Sequence, residues 1–166
     1  FRSELERAQA LGIPKVVMHP GSAKGDERAT SLDRAARSFD QIFASIPDNR
    51  TTVLIETTAG QGSYLGSTFE EIAAIVAATD HKDRFGVCFD TCHSFVAGYD
   101  FTTRETYERT FEAFDRAIGL ERLQAFHLND TVKGLGSKLD RHAHIGHGAL
   151  GLAPFRMIVN DPRFAE

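Results

Sequence analysis

Four residues able to bind a metal stand at the ends of four short apolar runs and recur at a nearly constant interval. The runs are Ile13 to His19, Thr52 to Glu56, Phe85 to Asp90 and Leu123 to His127. Their last residues, His19, Glu56, Asp90 and His127, fall 37, 34 and 37 positions apart. Imidazole nitrogen and carboxylate oxygen are donors that suit zinc and manganese. A lone His or Asp at a strand end more often caps a helix or accepts a hydrogen bond. Four at a regular interval carry more weight. A strand and its return helix take roughly 30 or more residues, so the interval is that of a repeated βα unit. In a parallel barrel the C-terminal strand ends share one face, and that face carries the active site. Two histidines and two carboxylates arriving there together would form a divalent metal site.

Further donors follow in the chain. His93 lies three residues beyond Asp90, in Phe89-Asp90-Thr91-Cys92-His93, where the chain leaves its strand. Both side chains could face one pocket and serve adjacent metals. Asp140 and His142 are two apart, so in extended backbone both point to one side, with Arg141 pointing away. That is the geometry of a two-ligand claw. His144 and His147 lie close by and receive no ligand role. Cys88 and Cys92 read as packed thiols. The stretch Glu56 to Gly66 carries three glycines after a strand, which could cradle an anion with backbone N–H groups. It lacks the spacing and the acidic partner of a dinucleotide fingerprint.

The elements that must position these residues are legible as periodicities. Phe1 to Leu11 reads as a helix, with Gly12 as a left-handed cap. Asp26 to Ile46 is amphipathic, with Leu32, Ala35, Ala36, Phe39, Ile42, Phe43 and Ile46 at three- and four-residue steps. Ser67 opens another helix, with Glu70 completing a capping box. Thr103 to Ile118 faces inward through Tyr107, Phe111, Phe114 and Ile118. Strands are expected at Pro14 to His19, Thr51 to Glu56, Phe85 to Phe89 and Leu123 to Leu128. A polar loop, Asn129 to Gly151, precedes a short helix, Leu152 to Val159. Short apolar strands separated by helices imply a parallel sheet covered on its faces. A doubly wound sheet and a (β/α)8 barrel both fit, and the evenly spaced strand ends favour the barrel. A full barrel takes about 250 residues, and this chain has 166 and four clear strands. The expectation is an α/β partial barrel over 1–166 as one domain.

Bulk properties narrow the class. With 42% hydrophobic and 25% charged residues the composition is that of a soluble globular protein. No apolar run approaches the roughly 20 residues of a membrane span, and no signal peptide is visible. The first residue is Phe1, not Met, which points to sequence upstream. Two cysteines make no disulfide framework and fit a reducing cytoplasm. The net charge of −4 argues mildly against nucleic acid as partner. Bound cations can reverse that balance locally, so charge alone does not decide it.

The motifs together resemble one family. Ile55-Glu-Thr-Thr-Ala-Gly-Gln-Gly-Ser-Tyr-Leu-Gly66, Val87-Cys-Phe-Asp-Thr-Cys-His93, Phe126-His-Leu-Asn-Asp130, Asp140-Arg-His142 with Ile145-Gly-His-Gly148, and His19-Pro20-Gly21 are similar to the endonuclease IV family of apurinic/apyrimidinic endonucleases. The resemblance spans nearly the whole chain. It implies an eight-stranded TIM barrel, here lacking its first strands and its last. It also implies three zinc ions and cleavage of double-stranded DNA 5′ to abasic sites in base excision repair. Carried over by motif, His19 and Glu56 serve one zinc. Glu56 bridges to a second, also held by Asp90 and His127. His93, Asp140 and His142 complete a third. The family pattern has one further His upstream and one further Glu downstream, neither within this chain, so only the third site keeps its full set. Thr57 stands where Asn is usual.

The expected chemistry is hydrolysis, with hydroxide held near Glu56 attacking phosphorus while the zinc ions stabilise the 3′ leaving oxygen. Gln61, Lys138 and Arg141 are the candidate DNA contacts, and a cytoplasmic monomer is expected. Two other readings compete. One is a metal-dependent sugar isomerase or epimerase on a similar barrel, which would need neither His93 nor the Asp140–His142 claw. The other is a zinc-binding fragment without activity.

Overall fold

The computed structural model describes residues 1–165. Its elements are α1 (Arg2–Ala10), β1 (Lys15–Met18), α2 (Arg28–Ser45), β2 (Thr52–Glu56), α3 (Phe69–Ala78), β3 (Phe85–Asp90), α4 (Thr91–Ala97), α5 (Arg104–Ala117), β4 (Leu123–His127), β5 (Asp130–Thr131), β6 (His142–Ala143) and α6 (Ala153–Val159). Strands β1 to β4 form one parallel sheet in sequence order. That order never reverses, whereas a doubly wound sheet reverses at its switch point. The protein is a partial barrel of four parallel strands.

Burial explains why the strands read as nearly continuous apolar runs. Val53 and Ile55 of β2 and Val87 and Phe89 of β3 pack into the core beneath the helices. Their alternates Leu54 and Cys88 are also buried. Helix α2 packs on α3, and α3 on α5. Phe89 sits at the centre of an aromatic cluster, with ring centroids of Phe101, Phe111 and Phe126 at 5.6, 5.2 and 5.9 Å. Where β3 meets β4 the register slips by one residue between Val87 and Cys88. Gly86 lies beside that slip, and a Cβ there would come within 2.7 Å of Leu54 Cδ2 and 2.8 Å of Gln124 Cδ. Glycine lets these side chains approach the strand without shifting their ends aside.

Three details differ from the sequence reading. The helix expected to start at Ser67 is capped by Thr68, whose Oγ1 accepts from Glu71 N at 3.2 Å. Glu71, not Glu70, reaches back, accepting from Gly66 N and Ser67 N. Helix α4 starts directly at the end of β3, where periodicity gave no sign of a helix. Thr91 to Val96 are all buried, so no polar face marks it. The loop from Asn129 to Gly151 contains an antiparallel ladder, Asp130 opposite Ala143 and Thr131 opposite His142. Its two-residue strands are too short to show an alternating pattern.

The C-terminal segment is fastened by Asp161, whose carboxylate accepts from Tyr107 Oη at 2.8 Å and from Arg163 Nη2 at 2.6 Å. The Arg163 hydrogen bonds outweigh burial and hold the Asp161 pKa down from 3.8 to about 2. A carboxylate whose folded pKa is depressed contributes stability above its unfolded pKa and loses it as pH falls through the folded one. Asp161→Asn is therefore expected to cost roughly 1–2 kcal/mol at pH 6, after allowing for solvent screening at the partly exposed Arg163. That difference should shrink between about pH 4 and pH 2. Denaturant melts of both proteins across that range check it, and a pH-independent difference would contradict it.

Candidate metal centre

Glu56 and Asp90 terminate neighbouring strands and form a buried floor, 7% and 1% exposed. Register places Asp90 opposite His127 and Glu56 opposite Cys88, so the three strand ends meet. The two oxygens of Glu56 face different imidazoles. Oε2 lies 3.2 Å from His19 Nε2, and Oε1 lies 2.7 Å from His127 Nδ1. A carboxylate directed two ways is suited to bridging two cations. Asp90 Oδ1 accepts from His93 N at 2.8 Å, capping α4, and Oδ2 accepts from Asn129 Nδ2 at 2.8 Å. His127 Nδ1 stands 3.9 Å from Asp90 Oδ2.

Helix α4 presents His93 at the centre. Its Nδ1 lies 2.9 Å from the carbonyl oxygen of Thr57. A carbonyl only accepts, so Nδ1 carries the proton and the lone pair of neutral His93 sits on Nε2. That nitrogen faces Asp140 Oδ2 at 3.2 Å and His142 Nε2 at 3.3 Å. His142 Nε2 lies 3.2 Å from Asp140 Oδ1. Ligands about 2.0–2.1 Å from a tetrahedral zinc are separated by roughly 3.3 Å. The spacings of His93, Asp140 and His142 match that edge. His142 lies in β6, and Gln61 Oε1 steadies the claw by accepting from Asp140 N at 3.0 Å.

Donor chemistry supports a metal at this place. Four groups have ligand atoms within 4.8 Å of one another: His19, Glu56 and His93; Glu56, Asp90 and His127; His93, Asp140 and His142; and Asp90, Cys92 and His142. Among the described residues, every ion pair of Glu56, Asp90 and Asp140 is with a histidine, none with Lys or Arg. Buried carboxylates need compensation, and this cluster offers lone pairs where a divalent ion would supply it. The cluster also sets its own ionisation. Burial pushes Glu56 upward, but hydrogen bonds and charge from His19 and His127 outweigh it, so its pKa is lowered. Hydrogen bonding to Glu56 raises that of His19. Burial dominates at Asp90 and raises its pKa. Burial likewise pushes the Cys88 and Cys92 thiols up to about 12 and about 11, and both are unbridged. The fourth group places Cys92 near ligand atoms, which spacing alone did not suggest.

Beside the cluster opens a cleft of about 200 Å³ lined by His19, Thr58, Ala59, Gly60, Gln61, Tyr64, Asp140 and Arg141. Gln61 and Arg141 therefore border the donors directly. Lys138 is outside the lining set, with its stem beside Gly60 and its backbone N–H on Val96 O. His144 and His147 are in none of the four groups. Several contributors were missed by sequence reading. Thr57 supplies the carbonyl that orients His93, and its Oγ1 accepts from Asp90 N at 2.9 Å and Ser94 Oγ at 3.0 Å. Asn129 holds Asp90, and the half-exposed Tyr64 borders the cleft. The place of Asn129 two residues past His127 was available as a signal, whereas a backbone carbonyl leaves none.

Comparison with known proteins agrees with the fold. A family model described as a xylose isomerase-like TIM barrel matches residues 1–166. The probable endonuclease 4 of Geobacter sulfurreducens is 57% identical over 164 residues, covering 99% of this chain and 55% of that protein. Its counterpart in Chloroflexus aggregans is 50% identical over 166 residues, covering 58% of that protein. The chain thus spans little more than half the length of these relatives. Among solved structures, endonuclease IV from Thermus thermophilus superposes with a TM-score of 0.81 at 40% identity, over 98% of this chain and 55% of that one. The IOLI protein with a binding zinc atom shares the fold at 17% identity, with a TM-score of 0.71 over 99% of this chain and 56% of that one. Matched by the family model along its whole length, the chain belongs to the xylose isomerase-like TIM barrel family, and over nearly all of its length it is similar to endonuclease IV proteins.

Proposed function

We propose that this chain carries the zinc-binding core of an enzyme that hydrolyses the DNA phosphodiester 5′ to abasic sites, in base excision repair. The observation that carries this reading is the shared arrangement of donors. Glu56 faces His19 and His127 with separate oxygens, and His93 joins it to the Asp140–His142 claw. Zinc ions bound there would lower the pKa of water and clamp the attacking and leaving oxygens of an in-line phosphoryl displacement. The protein's own part is positioning. Glu56, ionised at neutral pH, accepts a hydrogen bond from the attacking water. Thr57 keeps the Nε2 lone pair of His93 turned toward the claw. Arg141 and Gln61 border the cleft that would take the abasic strand, and Lys138 stands just outside it. The substrate is double-stranded DNA with an abasic site, and the unbridged cysteines suit the cytoplasm.

The test is incubation of this chain with zinc and a duplex containing one abasic site. Cleavage 5′ to the lesion, abolished by chelation, supports the reading. Zinc binding without cleavage supports instead a zinc-binding portion that does not cleave on its own. One divalent ion per chain would instead support the sugar isomerase reading, which gains nothing from the claw.

Arg141 is exposed at the edge of the cleft, where a guanidinium can meet phosphate without reading bases. Arg141→Ala is expected to weaken duplex binding and lower the slope of log affinity against log salt by about one. Fluorescence anisotropy at several salt concentrations measures this, and an unchanged slope would exclude Arg141 as a phosphate contact.

A further inference from the structure

Asp130 is a fully buried carboxylate, and among the described residues all of its hydrogen bonds come from backbone. Oδ1 accepts from Thr131 N at 2.7 Å and Leu150 N at 2.9 Å. Oδ2 accepts from Gly146 N at 3.0 Å and Gly148 N at 2.9 Å. Four N–H donors on one carboxylate account for its burial. They also tie the two ends of one segment together, because residues 146–150 closely follow the claw and Thr131 pairs with it. Thr131 lies opposite His142, its Oγ1 donates to Arg141 O at 3.2 Å, and Val132 N donates to the same carbonyl at 3.1 Å.

Gly148 shows how closely the two sides approach. A Cβ at Gly148 would stand 2.3 Å from Thr131 O and 2.5 Å from Asp130 Oδ1. Neither is a flexible side-chain end free to move. Thr131 O is backbone, already accepting from Ala149 N at 2.6 Å, and Asp130 is locked by its four donors. The segment therefore has one arrangement, and it delivers His142 Nε2 to within 3.3 Å of His93 Nε2. Asp140 and His142 are themselves 42% and 43% exposed at the side chain, so packing does little to fix them.

We infer that Asp130 is a positioning residue for the metal site formed by His93, Asp140 and His142, setting the claw through the backbone of residues 131 and 146–150. The inference rests on the metal-centre reading above. Removing an outer partner of a metal ligand characteristically costs about 10–100-fold in metal affinity. In Asp130→Asn the amide nitrogen faces backbone donors on one side, so two of the four bonds are lost.

The test is titration of the chain with Co²⁺, followed by its visible absorption, and with Zn²⁺ by competition. Asp130→Asn is expected to lose about 10–100-fold in affinity at one site and to alter the cobalt spectrum of that site. In a His142→Ala background the same substitution should change metal affinity by less than about twofold, because independent sites add and a shared one does not. A merely structural Asp130 would weaken all sites in both backgrounds. If Asp130→Asn does not fold, as read by circular dichroism, Gly148→Ala supplies the same displacement without removing the charge and is expected to give the same site-selective loss. Unchanged affinity in a folded variant, or equal losses in both backgrounds, overturns the inference. A wild-type chain that binds neither ion overturns the metal-centre reading itself, and so is distinguishable.

Discussion

Glu56→Gln is expected to weaken metal binding by more than about 100-fold at the two positions that share this carboxylate, while the His93–Asp140–His142 position keeps its ion. Gln preserves the shape of Glu56 but loses one acceptor oxygen and the charge. Glu56 Oε2 faces His19 and Oε1 faces His127, so either orientation of the amide sets an NH2 group against one of the two partners. A second effect adds to this. Glu56 is buried and its pKa is held down by His19 and His127, so the native residue is a carboxylate at neutral pH. A neutral amide cannot compensate a bound cation. Abasic-DNA cleavage, where the chain shows it, should fall by at least about 100-fold, since the ions that Glu56 would hold supply the activation of water. Elemental analysis of dialysed protein and a single-turnover assay give the two readouts. Full metal content together with full activity would remove Glu56 from the site.

His142→Ala carries the second large effect, in the opposite pattern. The His93–Asp140, His142–Asp140 and His142–His93 separations are 3.2, 3.2 and 3.3 Å, so the three donors already have the spacing that tetrahedral zinc requires. This position should bind most tightly, and removing one of its three protein ligands should cost more than the roughly 10–100-fold attached to outer partners. The variant is expected to lose one zinc per chain and keep the ions around Glu56. Because His142 is exposed in a two-residue strand, its removal should leave the fold intact. Unchanged zinc content would show that the claw is not a ligand pair.

The contrast between those substitutions follows from how the two halves of the centre are encoded. Strand ends are legible in sequence because a buried parallel strand is a continuous apolar run, and the residue that breaks it is conspicuous. His19, Glu56, Asp90 and His127 stand out for that reason. The claw is legible because a spacing of two in extended backbone puts Asp140 and His142 on one side. What orients these groups is not legible. Thr57 acts on His93 through its carbonyl, which every residue has. Asp130 acts through four backbone N–H groups contributed by residues up to 20 positions away. Helix α4 leaves no amphipathic period because it is buried on all sides. Gln61, read as a DNA contact, also fastens Asp140, a contact 79 positions apart in sequence that only the fold creates. Helix–strand alternation does not separate barrel from doubly wound sheet, because it is common to both.

Counting the metal is the most direct measurement. After saturation with zinc and removal of free ion by gel filtration, elemental analysis should give more than one zinc per chain, rising toward three. It should fall by one in His142→Ala and to one in Glu56→Gln. A single ion or none in the folded wild-type chain would contradict a multi-ion centre built on Glu56 and His93.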